Sequence, residues 1–166
     1  MGFIRAKTIK GKEYAYLVSN TWTNQGSRQN VKCYLGRIIK LQKKQETTPD
    51  ITNSEYTEAI TSLITQELIN HGFNEKLSHN NTKVDLKNRK IINNNKNTVI
   101  EINEGYMCTY TLNKLMTLKL TGYEEQAGTQ LATALLEAGL KINKEIFVQL
   151  FEKIYKGNKK TKDKDE

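Results

Sequence analysis

The stretch FIRAKTIKGKEYAYLVSNTWTNQGSRQNVKCYL, residues 3–35, contains three runs rich in strand-forming residues. The runs cover residues 3–9, 14–19 and 30–35, and the segments KGKE and TNQGS between them each contain a glycine. β-Branched and aromatic residues favour strands, and short polar segments with glycine between such runs are typical of turns. The stretch therefore predicts a three-stranded antiparallel meander.

Alternation along the strands sorts the side chains of this meander into two faces. The predicted apolar face holds Ile4, Ala6, Thr8, Ala15, Leu17, Val31, Cys33 and Leu35. The predicted opposite face holds Arg5, Lys7, Tyr14, Tyr16, Lys32 and Tyr34. Because a sheet of three strands is only marginally stable alone, we expect its apolar face to pack on the rest of the chain.

The remaining sequence predicts a larger body over residues 50–156, after a polar connector that contains Pro49. Helical spacing of apolar residues predicts four helices, at residues 54–70, 109–119, 124–138 and 143–156. We expect Asn53 or Ser54 to cap the first helix, Gly72 to end it and Asn143 to cap the last. Short strands around the Asn-rich turn NNNKN predict a β-hairpin within residues 83–102. The charged tail, residues 157–166, is predicted to be disordered.

The predicted fold class is therefore α+β, with the meander packed on an α/β body that contains a β-hairpin and about four helices. We take residues 1–45 as one basic module and residues 50–156 as the body. The start of the chain lacks the apolar core of a signal peptide, and no run of about 18 apolar residues follows, so we expect a cytoplasmic protein. The distant cysteines, Cys33 and Cys108, suggest buried thiols.

The positive charge of the chain is concentrated in the meander. The protein has a net charge of +8, and residues 1–45 contain ten Lys or Arg residues and a single acid, Glu13. The other 121 residues carry 16 basic and 17 acidic side chains. Such asymmetry favours a polyanionic partner, although a merely solvated lysine-rich surface would have the same composition.

Aromatic residues coincide with this charge. Tyrosine rings on a sheet face offer surfaces on which unstacked bases can stack, and nearby cations can pair with phosphates. This pattern predicts non-catalytic binding of RNA, or of a ribonucleoprotein such as the ribosome, without a cofactor. The predicted contact residues are Arg5, Lys7, Tyr14, Tyr16, Trp22, Arg28, Lys32, Tyr34 and Arg37. The alternative is that the tyrosines pack across strands and that Trp22 anchors the hairpin on the core.

Residues 14–37, YAYLVSNTWTNQGSRQNVKCYLGR, resemble a segment near the start of some archaeal and transposon-encoded proteins, including DDE-class transposases. Residues 103–116 and 137–156 resemble small archaeal proteins of unassigned function. The transposase resemblance covers only a short segment, and the rest of the chain leaves no room for a ribonuclease-H-like catalytic core. The resemblance implies proximity to nucleic acid and no enzymatic activity.

Two other functions remain open from the sequence. Residues 131–150, with Gly139 at the turn, have the outline of a helix–turn–helix, which would suit a DNA-binding regulator or a mobile-element accessory protein. An ordinary helical hairpin that closes the core explains the pattern better, because the second helix is almost neutral. Glu101 and Glu104 would be the carboxylates of a small metal-dependent nuclease, but a strand exit followed by a helix cap also explains EINEG. His71 and His79 lack zinc-ligand spacing, and no phosphate-loop or nucleophile-elbow motif occurs.

Overall fold

The computed structural model describes residues 2–162, which form an α+β fold in which four helices pack on a mixed sheet of eight strands, as the sequence predicts. The strands are β1 (Gly2–Ile9), β2 (Lys12–Thr23), β3 (Gly26–Lys40), β4 (Ser78–His79), β5 (Thr82–Asp85), β6 (Lys90–Asn93), β7 (Lys96–Ile102) and β8 (Gly105–Met107). The helices are α1 (Tyr56–Asn70), α2 (Thr109–Met116), α3 (Glu124–Glu137) and α4 (Lys144–Lys162).

The predicted meander is present, and its second and third strands are longer than the sequence pattern indicates. β1 pairs with β2 and β2 pairs with β3, both antiparallel. The segment TNQGS is not a loop: β2 continues to Thr23 and β3 begins at Gly26, so only Asn24 and Gln25 connect them. We call residues 20–30 the hairpin arm, because every residue in it is exposed.

The meander joins the body through a parallel pair of strands. Arg37–Lys40 of β3 lie beside Thr98–Glu101 of β7, and the sheet then continues through β6, β5 and β4, with β8 also paired to β7. The junction depends on Gly36, whose φ is +143°. A Cβ atom at this position would lie 2.4 Å from the carbonyl oxygen of Asn97, so only glycine allows β7 to approach.

The core of the body lies between the sheet and the helices. Its central members are contributed by all four helices and by the strands of the body, among them Ile60, Ile64, Leu112, Leu131 and Leu150. A smaller cluster under the meander contains Ala15, Ile38, Val99 and Cys108, with Ile4 and Ala6 packed against it. The predicted apolar face of the meander therefore does pack on the body near β1 and the start of β2.

The sequence interpretation of EINEG is right about the strand exit, since β7 ends at Ile102, and wrong about the helix cap. Asn103 and Glu104 have positive φ values of 46° and 65° and form a tight turn between β7 and β8 rather than a helix cap. Two further short strands, β4 and β8, were not predicted, because two or three residues carry too little alternation to be seen in a sequence.

The helix ends agree with the predictions in part. Asn143 caps α4, since its Oδ1 accepts a hydrogen bond of 2.9 Å from the backbone N–H of Ile146. Neither Asn53 nor Ser54 caps α1: Glu55 occupies the cap position, and the Ser54 hydroxyl donates to the carbonyl of Ile51 instead. Gly72, with φ +101°, follows the end of α1 as expected. α4 reaches Lys162, into the predicted disordered tail, and residues 163–166 lie outside the described residues.

Candidate nucleic-acid interface

Three tyrosines meet on one face of the meander. Tyr16 lies directly opposite Tyr34 in the register of β2 and β3, with ring centroids 5.3 Å apart. Tyr14 lies on the same side, 6.3 Å from Tyr34, and both ring pairs are tilted. Tyr34 remains 54% exposed. The predicted cluster of Tyr14, Tyr16 and Tyr34 thus exists, and its rings pack on each other while leaving surface to solvent.

Cations border this cluster. Lys7 is opposite Tyr14 and places its Nζ 5.6 Å from the centre of the Tyr16 ring, within the range of a cation–π contact. Arg5 is opposite Tyr16, and its guanidinium donates to the Oε1 of Gln29. Arg37 of β3 is also a cross-strand partner of Tyr14, on the edge of β2 that faces away from β1. Because cross-strand partners share a face, these five predicted contact residues lie together with Tyr34.

The hairpin arm carries two of the three remaining predicted contacts, Trp22 and Arg28, on opposite sides, and the third, Lys32, lies in β3 just beyond the arm. Trp22 is 85% exposed near the tip, so it does not anchor the hairpin on the core. It is six positions along β2 from Tyr16, an even spacing that keeps it on the tyrosine side. Arg28 pairs with Thr21, and therefore points to the other side of the arm. Both side chains are exposed, but no single flat surface takes in Trp22 and Arg28 together.

The pairing of β2 with β3 has two shifts of register, and the shift between Leu17 and Val18 alters a predicted face of β3. Leu17 and Val18 pair with Cys33 and Val31, which leaves Lys32 as the extra residue of a bulge. Val31 therefore shares the side of Val18 and not that of Leu17, so its predicted face is wrong. Val31 is 55% exposed, and Cys33 is exposed rather than a buried thiol. Val31 thus lies on the tyrosine side of the meander rather than on the face that packs on the body. Cys108 is buried as predicted.

A groove at the junction of β3 and β7 extends the tyrosine cluster. Its volume is about 520 Å³, in the range of small-molecule sites. The lining residues are Lys12, Tyr14, Tyr34, Arg37, Ile39, Asn93, Asn94, Lys96, Asn97 and Thr98. The described lining thus combines two tyrosine rings, three cations and three amide side chains with no carboxylate. We call it the junction groove.

Sequence reasoning predicted three of the ten lining residues as contacts, Tyr14, Tyr34 and Arg37, and missed the other seven. Lys12 lies outside the strand predicted for residues 14–19, and the Asn-rich segment was interpreted only as a turn. Asn94 and Asn95 do form that turn, with φ values of 48° and 61°. Its position beside Tyr14 and Arg37 follows from the parallel pairing of β3 with β7, which no local pattern reveals.

Burial raises the pKa of the Tyr34 hydroxyl above its ordinary value, and the neighbouring Tyr14 and Tyr16 add to the shift. The hydroxyl therefore stays protonated at neutral pH and can donate a hydrogen bond to a phosphate or a base. A tyrosine that keeps its proton also avoids placing a negative charge beside a polyanion.

The two carboxylates proposed for a nuclease do not form a metal site with other residues that the structure describes. Glu101 lies 3.8 Å from the Nζ of Lys40, and Glu104 lies in the turn before β8. His71 and His79 each place Nδ1 within 3.0 Å of a backbone carbonyl oxygen. Within residues 2–162, no three side chains of His, Cys, Asp or Glu gather closely enough to hold a metal ion.

The helix pair considered for DNA binding buries its apolar residues in the core. Leu131 and Leu135 of α3 and Ile146, Leu150 and Ile154 of α4 are all buried. The groove that the two helices leave open is bordered by glutamates. This arrangement is that of a helical hairpin that closes the core, and its acidic border is unfavourable for phosphates.

None of the helices within residues 2–162 combines the length and the apolar composition that crossing a membrane requires. Comparison of the chain with protein-family models, with curated proteins and with solved structures gives no match.

Proposed function

We propose that this protein binds single-stranded RNA without catalysis, through the tyrosine cluster and the junction groove. The observation that carries the proposal is the junction groove itself, where Tyr14 and Tyr34 meet Lys12, Arg37 and Lys96 and no described carboxylate intervenes. The proposal includes a cytoplasmic protein whose partner is free RNA or a ribonucleoprotein such as the ribosome.

The chemistry of the site fits an unpaired strand better than a duplex. Stacking on an aromatic ring requires a base that has left its own stack, and each such contact contributes roughly 1 to 3 kcal/mol. Amide side chains such as Asn93 and Asn97 both donate and accept, so they match the edges of exposed bases. Reading a DNA major groove usually takes a helix or ribbon that fits into it, whereas the cluster lies on a sheet face.

The cations are distributed so that a single strand of RNA can follow the face of the sheet. Arg5 and Lys7 lie on β1 at one side of the tyrosines, and Lys12 and Lys96 lie at the junction groove on the other. A strand that crosses the tyrosines would place phosphates near both groups of cations. Each neutralised phosphate contributes about −0.7 to the log–log salt slope of single-strand binding, so three to five contacts predict roughly −2 to −4.

The test is a salt titration of binding to fluorescein-labelled rU12, followed by fluorescence anisotropy. We expect the double variant Lys12→Glu, Lys96→Glu to reduce the affinity at least about 10-fold and to flatten the slope by about 1.4, because two phosphate contacts are lost. The matched control is Lys87→Glu, Lys119→Glu, which changes the net charge equally at exposed lysines outside the groove. Equal losses in both variants would show that only the overall charge matters and would refute the site. Equal or tighter binding to dT12 would refute the preference for RNA.

A further inference from the structure

A second groove lies between α3 and α4, in the part of the body that the proposed RNA site does not use. Along α4 its wall is a ladder of three rings at i, i+4 and i+8: Phe147, Phe151 and Tyr155. The centroids of Phe147 and Phe151 are 6.5 Å apart and those of Phe151 and Tyr155 are 5.0 Å apart, and both pairs are nearly parallel. The groove has a volume of about 770 Å³, larger than the junction groove.

The groove is open on its α3 side because Gly128 carries no side chain. A Cβ atom built at Gly128 would have no atom within 4 Å, so the glycine faces free space in the middle of a helix. Glycine in a helix interior lowers stability by roughly 0.5 to 1 kcal/mol relative to alanine, and packing on the core does not explain it here. On the α4 side Val148 is 46% exposed, which extends the apolar wall toward solvent.

The border of this helix groove is acidic, in contrast to the +8 charge of the whole chain. Glu124 and Glu125 lie on it from the first turn of α3, and Glu152 lies on it from α4. Among the described lining residues Lys156 is basic, and its Nζ lies 3.6 Å from the carboxylate of Glu152. The ion pair of Lys156 with Glu152 does not neutralise the carboxylates of Glu124 and Glu125. The groove therefore repels a polyanion and attracts a cationic ligand.

We propose that the helix groove binds a basic amphipathic helix of a partner protein. Large apolar side chains of the partner would pack against the ring ladder and fill the space over Gly128. Lysine or arginine side chains on the flank of that helix would pair with Glu124 and Glu125. This interaction uses no residue of the RNA site and stands independently of it.

The dimensions of the groove favour a helix as the occupant. Eight residues separate Phe147 from Tyr155, which at 1.5 Å per residue is about 12 Å. An amphipathic helix presents apolar residues at i, i+3, i+4 and i+7 over a similar length, which is the recurrent mode of helix-in-groove recognition. The walls are two helices, so the groove offers no strand edge that an extended peptide could extend.

The test uses a 16-residue fluorescein-labelled peptide of leucine and lysine, with leucine at i, i+3, i+4 and i+7. We expect it to bind the full chain with a Kd of roughly 10 to 100 µM. The variant Gly128→Trp should weaken binding at least about 10-fold by filling the groove, while Gly128→Ala should stay within about 2-fold. The variant Glu124→Gln, Glu125→Gln should weaken binding about 3-fold to 10-fold and lower its dependence on salt.

Two controls guard against loss of the fold and against nonspecific association. Circular dichroism verifies that Gly128→Trp is folded. If that variant is unstable, Val148→Lys replaces it, because a lysine at this exposed position repels the cationic peptide and should also weaken its binding. A peptide with glutamate in place of lysine should bind at least about 10-fold more weakly. The affinity of Gly128→Trp for rU12 should equal that of the unmodified protein.

Three results would overturn the proposal. One is equal binding of the lysine and glutamate peptides, and another is no saturation at roughly 1 mM lysine peptide. The third is a concentration-dependent dimer, seen by analytical ultracentrifugation, that becomes monomeric in Gly128→Trp, because the occupant would then be a second copy of this chain.

Discussion

Tyr34 is the residue at which stacking and folding can be separated most cleanly. It belongs to both the tyrosine cluster and the junction groove, and it is 54% exposed. Its ring touches two others, at 5.3 Å and 6.3 Å, so truncation removes two tilted aromatic contacts. Such pairs contribute about 0.5 to 1.5 kcal/mol each when well packed, and the exposure of Tyr34 favours the lower value. We expect Tyr34→Ala to lower the free energy of unfolding by about 1 kcal/mol, a change of about 2 to 4 °C in Tm.

The effect on RNA binding should be larger. One stacked base is worth roughly 1 to 3 kcal/mol, so Tyr34→Ala should weaken binding of rU12 about 10-fold. The salt slope should stay constant, because a ring displaces no counterions. Tyr34→Phe keeps the ring and should retain the affinity within about 2-fold. The small loss would come from the hydrogen bond of the missing hydroxyl.

Anisotropy titrations and thermal melts on the same protein samples decide the outcome. The matched control is Tyr123→Ala, which removes an exposed tyrosine at the start of α3, outside the tyrosine cluster and the junction groove. If Tyr34→Ala lowers Tm but leaves the affinity per folded molecule unchanged, the rings are structural. Stacking would then be refuted, and the basic charges would be the remaining support for an RNA site.

Two predictions concern the fold itself. Gly36→Ala should lower the free energy of unfolding, measured by urea denaturation, by about 3 kcal/mol. The reason is that the φ of this residue is +143° and that a Cβ atom would press on the Asn97 carbonyl. A loss below about 1 kcal/mol would contradict the required close approach of β7. Burial raises the pKa of Tyr56, whose hydroxyl donates to the Leu115 carbonyl at 2.9 Å. Tyr56 therefore ionises more readily in the unfolded chain than in the folded protein. As the pH rises above about 10, this difference lowers the free energy of unfolding by about 1.4 kcal/mol per pH unit. Tyr56→Phe should lose about 1 kcal/mol at pH 7 and show less of this alkaline loss; equal pH profiles for the two proteins would contradict it.

The sequence predicted those parts of the fold that local patterns determine. The alternation of Arg5, Lys7, Tyr14 and Tyr16 with apolar neighbours placed them on one side of the meander, and the register confirms that they share it. The pattern could not show that β3 continues to Lys40 and pairs with β7, because parallel pairing joins residues about 60 positions apart. The residues of the junction groove contributed by the body were missed for that reason.

The apolar stripe of α4 illustrates a second limit of local patterns. Apolar residues at helical spacing predict the helix at residues 143–156, but the structure places these residues in two different environments. Ile146, Leu150 and Ile154 are buried, whereas the rings are only half-buried and line the helix groove. In a sequence, an apolar stripe of which the core buries only one part has the same pattern as a stripe that the core buries completely. The bulge at Lys32 was invisible for a similar reason, since one extra residue changes the face of Val31 without changing the composition.

The position of the junction groove explains how the basic segment and the body can act together. Tyr14, Tyr34 and Arg37 come from the meander, and Asn93 and Lys96 come from the hairpin of the body. Neither part alone has both the rings and the full set of cations, so the proposed RNA site depends on the pairing of β3 with β7. Gly36 lies beside that junction and permits it through close backbone contact. A substitution there that preserved folding but moved β7 would separate the rings from Lys96, and we expect RNA affinity to fall although no residue of the proposed RNA site has been changed.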